Sequence, residues 1–299
     1  MTNSHELTQL SNQMADAVER VGAALVTVNG RVRQSATGIV FAPHLVVTAD
    51  HVLERDDDLT VETSDGRSLS AQLLGRDANT DLAVLRVDDL GHDPAAQAQS
   101  QARVGQLILA VGRPSAAGPM ASLGIVSAVG GPLRTRRGSV IEQVIQTDAT
   151  PYPGFSGGAL VDGSGAVQAL LTTGIIGGVA LGIPAATVWQ IAATLSQHGN
   201  LKRGFLGISS QPVNLPEGQR GGGTQEHGLL LVRVEPDSPA SKAGLLIGDI
   251  LVALDGQSVQ STEDLQALLN GERVGKSVPV SIIRGGSSQT LNVTVGERT

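Results

Sequence analysis

A serine hydroxyl becomes a useful nucleophile when an imidazole takes its proton and a carboxylate holds that imidazole in the right tautomer. Three segments supply those groups. Val47-Thr48-Ala49-Asp50-His51-Val52 sets His51 just behind an apolar run, and Asn79-Thr80-Asp81-Leu82-Ala83-Val84-Leu85 sets Asp81 at the mouth of another. Pro153-Gly154-Phe155-Ser156-Gly157-Gly158 sets Ser156 in a tight glycine turn. Without Cβ the backbone can bend so that two amide N–H groups face one point, where they stabilise the oxyanion of a tetrahedral intermediate. Those donors are assigned to Gly154 and Ser156. Taken singly, His51 reads as a structural histidine and Asp81 as a turn cap. Taken with Ser156 in this order, the three point to acyl transfer. His44, beside Pro43, reads as a turn residue, and Asp148 as a hydrogen-bonding support of the nucleophile loop.

The elements that must position these groups are short. From about Ala23 to about Ile183 apolar runs such as Leu45-Thr48, Leu82-Val87, Val140-Gln146 and Ala166-Leu171 alternate with turn residues. Many short strands without a helical period between them argue for antiparallel barrels or a sandwich, hence a mainly β fold. Aromatic residues make up 2% of the chain against 40% hydrophobic, so Val, Leu, Ile and Ala must fill the cores. Leu7, Leu10, Met14, Val18 and Val21 recur at steps of three and four and predict an amphipathic helix packed on the domain that follows. A second helix is expected from Ala185 to about His198, carrying Val188, Ile191, Ala192 and Leu195.

A different pattern begins after residue 200. Phe205-Leu206-Gly207-Ile208 opens it, and a Gly-rich charged insert from Glu217 to His227 interrupts it, read as a mobile loop. Further on come a strand at Leu229-Val234, a short helix led by Pro239, a strand at Ile250-Leu254, and a helix from Ser261 or Thr262 to a stop at Gly271. Two last strands flank Gly285-Gly286, a hairpin turn. The expected organisation is therefore a helix over 1–22, a strand-rich domain over 23–200 and an α+β module over 201–299.

With 299 residues the chain can bury two cores. A net charge of -7 offers no basic surface to nucleic acid. Cysteine is absent and the six histidines lack metal-ligand spacing, so neither metal nor other cofactor is expected. The N-terminal composition shows no basic start followed by an apolar run, and no stretch approaches the ~18 apolar residues of a membrane span. A cytoplasmic location is the resulting expectation.

The order His, Asp, Ser is that of the chymotrypsin type and not of subtilisin or the α/β-hydrolases. From about residue 20 onward the chain resembles the HtrA family of trypsin-like serine proteases. The resemblance rests on the segments around His51, Asp81 and Ser156, on Gln146-Thr147-Asp148-Ala149, on Gly182-Ile183-Pro184, on Arg203 to Ile208, and on Ala243-Gly244-Leu245 through Gly248-Asp249-Ile250. It implies a double six-stranded antiparallel β-barrel protease domain followed by a PDZ domain. It also implies cleavage of unfolded or exposed polypeptides in protein quality control, no cofactor, and assembly usually as trimers. In the PDZ domain, Phe205, Leu206, Gly207 and Ile208 are expected to form an edge strand that captures C-terminal peptides, with Leu265 and Leu269 shaping a pocket. A catalytically silent, chaperone-like binder on the same fold is the alternative. So is an allosteric protease whose loops near Gly130 to Gly138 and Thr172 to Val179 respond to peptide capture.

Two residues depart from the family pattern. Phe155 stands where Asn or Asp usually precedes the nucleophile, and is expected either to reshape the entrance or to hold the loop at rest. Asp50 stands where a small residue usually precedes the histidine, and either competes for His51 or faces away.

Overall fold

The computed structural model describes residues 2–135, 140–176, 179–199, 204–220, 224–269 and 273–297. The chain divides into two compact units, Met1–Leu201 and Lys202–Thr299. In the first unit, strands β1 (Leu25–Asn29), β2 (Ala36–Ala42), β3 (Leu45–Ala49), β4 (Leu59–Glu62), β5 (Ser68–Asp77) and β6 (Leu82–Arg86) close a barrel in the order β1-β2-β3-β6-β5-β4. The pairing of Val28 with Val61 seals it. A second barrel follows, from β7 (Leu107–Gly112) and β8 (Met120–Gly130), past a small hairpin β9 (Leu133–Arg134) and β10 (Val140–Ile141). Strands β11 (Val144–Thr147), β12 (Ala159–Val161), β13 (Val167–Ile176) and β14 (Val179–Pro184) complete it in the order β11-β14-β13-β12-β7-β8. Closure pairs every edge, which is how a strand-rich chain avoids exposed ladders. Of the two architectures that the strand pattern left open, this is the barrel.

Buried Leu, Val, Ile and Ala fill both barrels, and Phe155 is the largest side chain of the second barrel's core. The run expected over Val140-Gln146 breaks in two, its first half pairing in the hairpin and its second entering the barrel. The far half of helix α1 (Thr2–Gly22) buries Ala17 and Val21 against the barrel, while Leu7 and Leu10 stay exposed. Helix α2 (Ala185–His198) buries Ala185, Val188, Ala192 and Leu195. It stops at Gly199, whose φ of 77° suits a residue without Cβ and whose N–H donates to Leu195 O at 2.9 Å.

The second unit is a five-membered antiparallel path of β16 (Ile208–Asn214), β17 (His227–Val234), β18 (Ile250–Leu254), β20 (Ser277–Arg284) and β21 (Ser287–Thr294). Short strands β15 (Gly204–Phe205), β19 (Gln257–Ser258) and β22 (Gly296–Glu297) complete it, with helices α3 (Pro239–Lys242) and α4 (Thr262–Leu268). Ser261 caps α4 through a reciprocal capping box with Asp264. Asp249 is buried and receives two 2.7 Å bonds from Arg284, which fasten the turn at Gly248 to the last hairpin. Residues 136–139, 177–178 and 221–223, parts of the expected responsive loops and mobile insert, lie outside the described residues, as does Gly271. No helix of the described residues is long and apolar enough to cross a membrane.

Candidate active site

Strand β3 ends in a single 3-10 turn, Asp50–Val52, that presents His51 at the rim of the first barrel. Asp81 stands immediately before β6, in the left-handed region at φ 58°, a conformation that costs a residue with a side chain about 1 kcal/mol or more. Its carboxylate is almost fully buried and heavily bonded. Oδ2 lies 2.8 Å and Oδ1 3.1 Å from His51 Nδ1, Oδ1 also accepts the His51 backbone N–H at 2.9 Å, and Thr172 Oγ1 donates to Oδ2. An acceptor-only carboxylate facing Nδ1 assigns the ring proton to that nitrogen and leaves Nε2 able to accept one.

Three consecutive residues of β13 touch all three sequence-selected groups. Thr172, fully buried, holds Asp81 and takes the Gly174 N–H at 3.0 Å. The hydroxyl of Thr173 lies 3.2 Å from Ser156 Oγ. Gly174 passes so close beneath the His–Asp pair that a Cβ there would fall 2.6 Å from His51 Nδ1. Among the described residues the Ser156 hydroxyl makes no hydrogen bond to His51. Its partner is Thr173.

The turn that carries Ser156 is fixed by its backbone. Phe155 N–H donates to Tyr152 O at 3.0 Å, Gly158 N–H to Phe155 O at 2.8 Å, and Gly157 N–H to Leu171 O at 2.8 Å. Gly154 and Gly157 take φ of 87° and 83°. Among the described residues the N–H groups of Gly154 and Ser156 have no acceptor, so the two expected oxyanion donors are both uncommitted.

The two departures resolve in physical terms. Phe155 does not line the entrance. It is 1% exposed, packs edge-on to Tyr152 with ring centroids 5.4 Å apart, and fills a notch that only a glycine at 112 leaves open. Asp50 faces away from His51 and pairs with Arg76, whose guanidinium also reaches Asp56 and the carbonyls of Asp50 and Leu53. Burial pulls the Arg76 guanidinium downward, but Asp50 and Asp56 outweigh it and hold it above its ordinary range. His44 occupies a turn at φ 61°, and Asp148 Oδ1 accepts the Ile125 N–H at 2.7 Å, tying the segment before the nucleophile to β8.

Sequence reasoning missed Thr172. The available signal was a hydroxyl ending the apolar run Ala169-Leu170-Leu171, because a buried polar side chain must find a partner. In the second unit the free edge strand begins at Ile208, not Phe205: Phe205 pairs with Gly296, and Gly207 breaks the ladder at φ 77°. Leu206 and Leu265 belong to that unit's core, and Leu269 packs on its margin. No group of three or more metal-ligating side chains occurs among the described residues.

Twin closed barrels with a Ser, His and Asp gathered where they meet define the trypsin-like serine peptidase fold. Residues 36–170 match the trypsin-like peptidase domain family and residues 204–295 the PDZ domain family. In carrying both domains in this order the chain is similar to HtrA-type proteases. Probable periplasmic serine endoproteases, DegP-like, of Halomonas elongata and Rhizobium meliloti are each 34% identical to it, over 84% and 89% of this chain and 54% of theirs. The chain thus spans about half the length of these curated relatives. Among solved structures, the HtrA-type protease AlgW with decapeptide covers 96% of this chain and 99% of its own at a TM-score of 0.79 and 26% identity. The serine endoprotease from Yersinia pestis gives 0.79 at 28%, covering 96% and 98%. The periplasmic naming of the relatives overturns the cytoplasmic expectation, which rested on N-terminal composition and on the lack of a long apolar stretch.

Proposed function

We propose that the chain is a serine endopeptidase acting on unfolded or exposed polypeptide, with His51, Asp81 and Ser156 as its catalytic residues. The observation that carries this is the convergence of all three groups on Thr172, Thr173 and Gly174 of β13, beside two uncommitted amides. Ser156 turns its hydroxyl from Thr173 to His51 Nε2 and attacks the scissile carbonyl. His51 takes the proton and returns it to the leaving amine, Asp81 stabilises the imidazolium, and the Gly154 and Ser156 N–H groups receive the oxyanion. Water then releases the acyl-enzyme by the same route reversed.

The free edge of β16 supports peptide capture by strand addition in the PDZ domain, with Phe205 to Ile208 at its mouth. Domain limits near residues 22 and 200 and assembly as a trimer go with this reading, and sedimentation of the full chain measures the latter. A fluorophosphonate probe is expected to label the wild type and not Ser156→Ala. Equal labelling of both refutes the assignment, and failure to cut casein while its aggregation is suppressed favours the chaperone-like alternative.

A further inference from the structure

Strands β1, β2 and β3 of the first barrel each present a fully buried threonine toward the second: Thr27, Thr37 and Thr48. Thr27 and Thr37 are cross-strand partners, and Thr48 lies one strand further on. Five hydrogen bonds run through this cluster. Thr27 Oγ1 donates to Arg113 O at 3.0 Å, Arg113 N–H donates to Thr37 Oγ1 at 2.9 Å, and Thr37 Oγ1 donates its own proton to Gly154 O at 2.7 Å. The Thr37 N–H donates to Ser156 O at 3.1 Å, and Thr48 Oγ1 holds the Thr37 carbonyl at 2.7 Å.

Thr37 therefore grips the carbonyls on both sides of Phe155 from a single residue. A hydroxyl has one proton, and here the Arg113 N–H occupies its acceptor side, so that proton is directed at Gly154 O. With the carbonyls of 154 and 156 drawn toward the first barrel, and the Phe155 N–H spent on Tyr152 O, the uncommitted donors of the turn are the two N–H groups of Gly154 and Ser156. We propose that Thr37 is a positioning residue of the oxyanion site: its hydroxyl anchors the Gly154–Phe155 peptide plane, and through the Gly154 backbone torsions that plane holds the Gly154 N–H toward the developing charge. The inference rests on the endopeptidase reading above.

The full chain is compared as wild type, Thr37→Val, which keeps the shape and removes the hydroxyl, and Thr37→Ser, which keeps the hydroxyl. Losing an oxyanion donor outright costs about 10²–10³ in kcat, so a donor loosened and not removed is expected to cost roughly 10- to 100-fold. On a fluorogenic peptide, Thr37→Val should lose that factor in kcat with KM nearly unchanged. A matching peptide boronate, whose tetrahedral adduct places an oxygen in the oxyanion site, should bind weaker by the same factor. Thr37→Ser should restore both. A loss confined to KM, an unchanged boronate affinity, or a serine variant as impaired as the valine one overturns the proposal. If Thr37→Val fails to fold by circular dichroism, Thr37→Cys, of similar volume and weak donor strength, must fall between serine and wild type on one side and complete loss on the other; full activity there overturns it equally. A wild type that neither turns over nor reacts with fluorophosphonate refutes the endopeptidase reading itself, whereas an active wild type with an equally active Thr37→Val refutes only the role of Thr37.

Discussion

Gly174→Ala adds one carbon at the tightest point of the site. That Cβ would fall 2.6 Å from His51 Nδ1 and 2.8 Å from the Asp81 carboxyl carbon, and closer still to Asp81 Oδ2. Comfortable contacts for carbon are about 3.5 Å, so something must move by roughly 1 Å. Asp81 cannot swing aside freely, because the His51 backbone N–H and Thr172 hold its two oxygens. The His51–Asp81 bond is the part that opens. A misplacement of about 1 Å costs on the order of 10²-fold, or about 2.7 kcal/mol in activation free energy. The measurement is kcat at saturating fluorogenic peptide and the rate of fluorophosphonate inactivation, with thermal melting as a check on folding. Gly163→Ala, where nothing lies within 4 Å of the added carbon, serves as the control and should match wild type. A Gly174→Ala variant that melts like wild type yet keeps kcat within threefold would show that the close approach does not constrain the pair.

Arg76→Met should destabilise the first unit, since it strands the Asp50 carboxylate, whose side chain is only 8% exposed. Breaking one half of a buried pair costs about 3–5 kcal/mol, and the partial exposure of Arg76 lowers this to about 2–3 kcal/mol. A melt followed by the chain's one tryptophan, Trp189 in α2, should drop by about 6 °C, and a drop below 2 °C sinks the estimate. In the PDZ unit, burial raises the Asp249 carboxyl, but Arg284 and the Leu246 N–H more than reverse this and hold it below the usual carboxylate range. A depressed folded pKa gives stability that is present above the unfolded value near ~4 and lost as pH falls through the folded one. Calorimetry of the full chain should therefore show that unit's transition falling below about pH 4 in wild type, and a flatter pH dependence in Asp249→Asn. Parallel acid profiles for the two proteins would refute the assignment.

The His51, Asp81 and Ser156 segments were legible because each sits beside an apolar run or a glycine cluster. Strand limits were legible where an apolar run ends at a turn, as in Ile250–Leu254, and the hairpin at Gly285-Gly286 was fixed by its turn. Strand β5 escaped notice because its alternate residues are exposed serines and a glutamine, and β12 because three buried residues after two glycines read as part of the nucleophile turn. Closure into barrels depends on which distant strands meet, which a local period does not encode. The directions of Phe155 and Asp50 were equally hidden: one depends on a glycine at 112 and the other on an arginine at 76.

Phe155 and Gly112 also impose an order on change. With the ring in place, any side chain at 112 collides with it, its Cβ falling 2.6 Å from Phe155 Cδ1. Position 112 is therefore closed to drift until position 155 has first become smaller, and a smaller residue at 155 opens a cavity that costs about 3–5 kcal/mol until 112 fills it. Neither single step is neutral, so a chain with phenylalanine before Ser156 is held there, and placing asparagine at 155 requires both positions to be exchanged together.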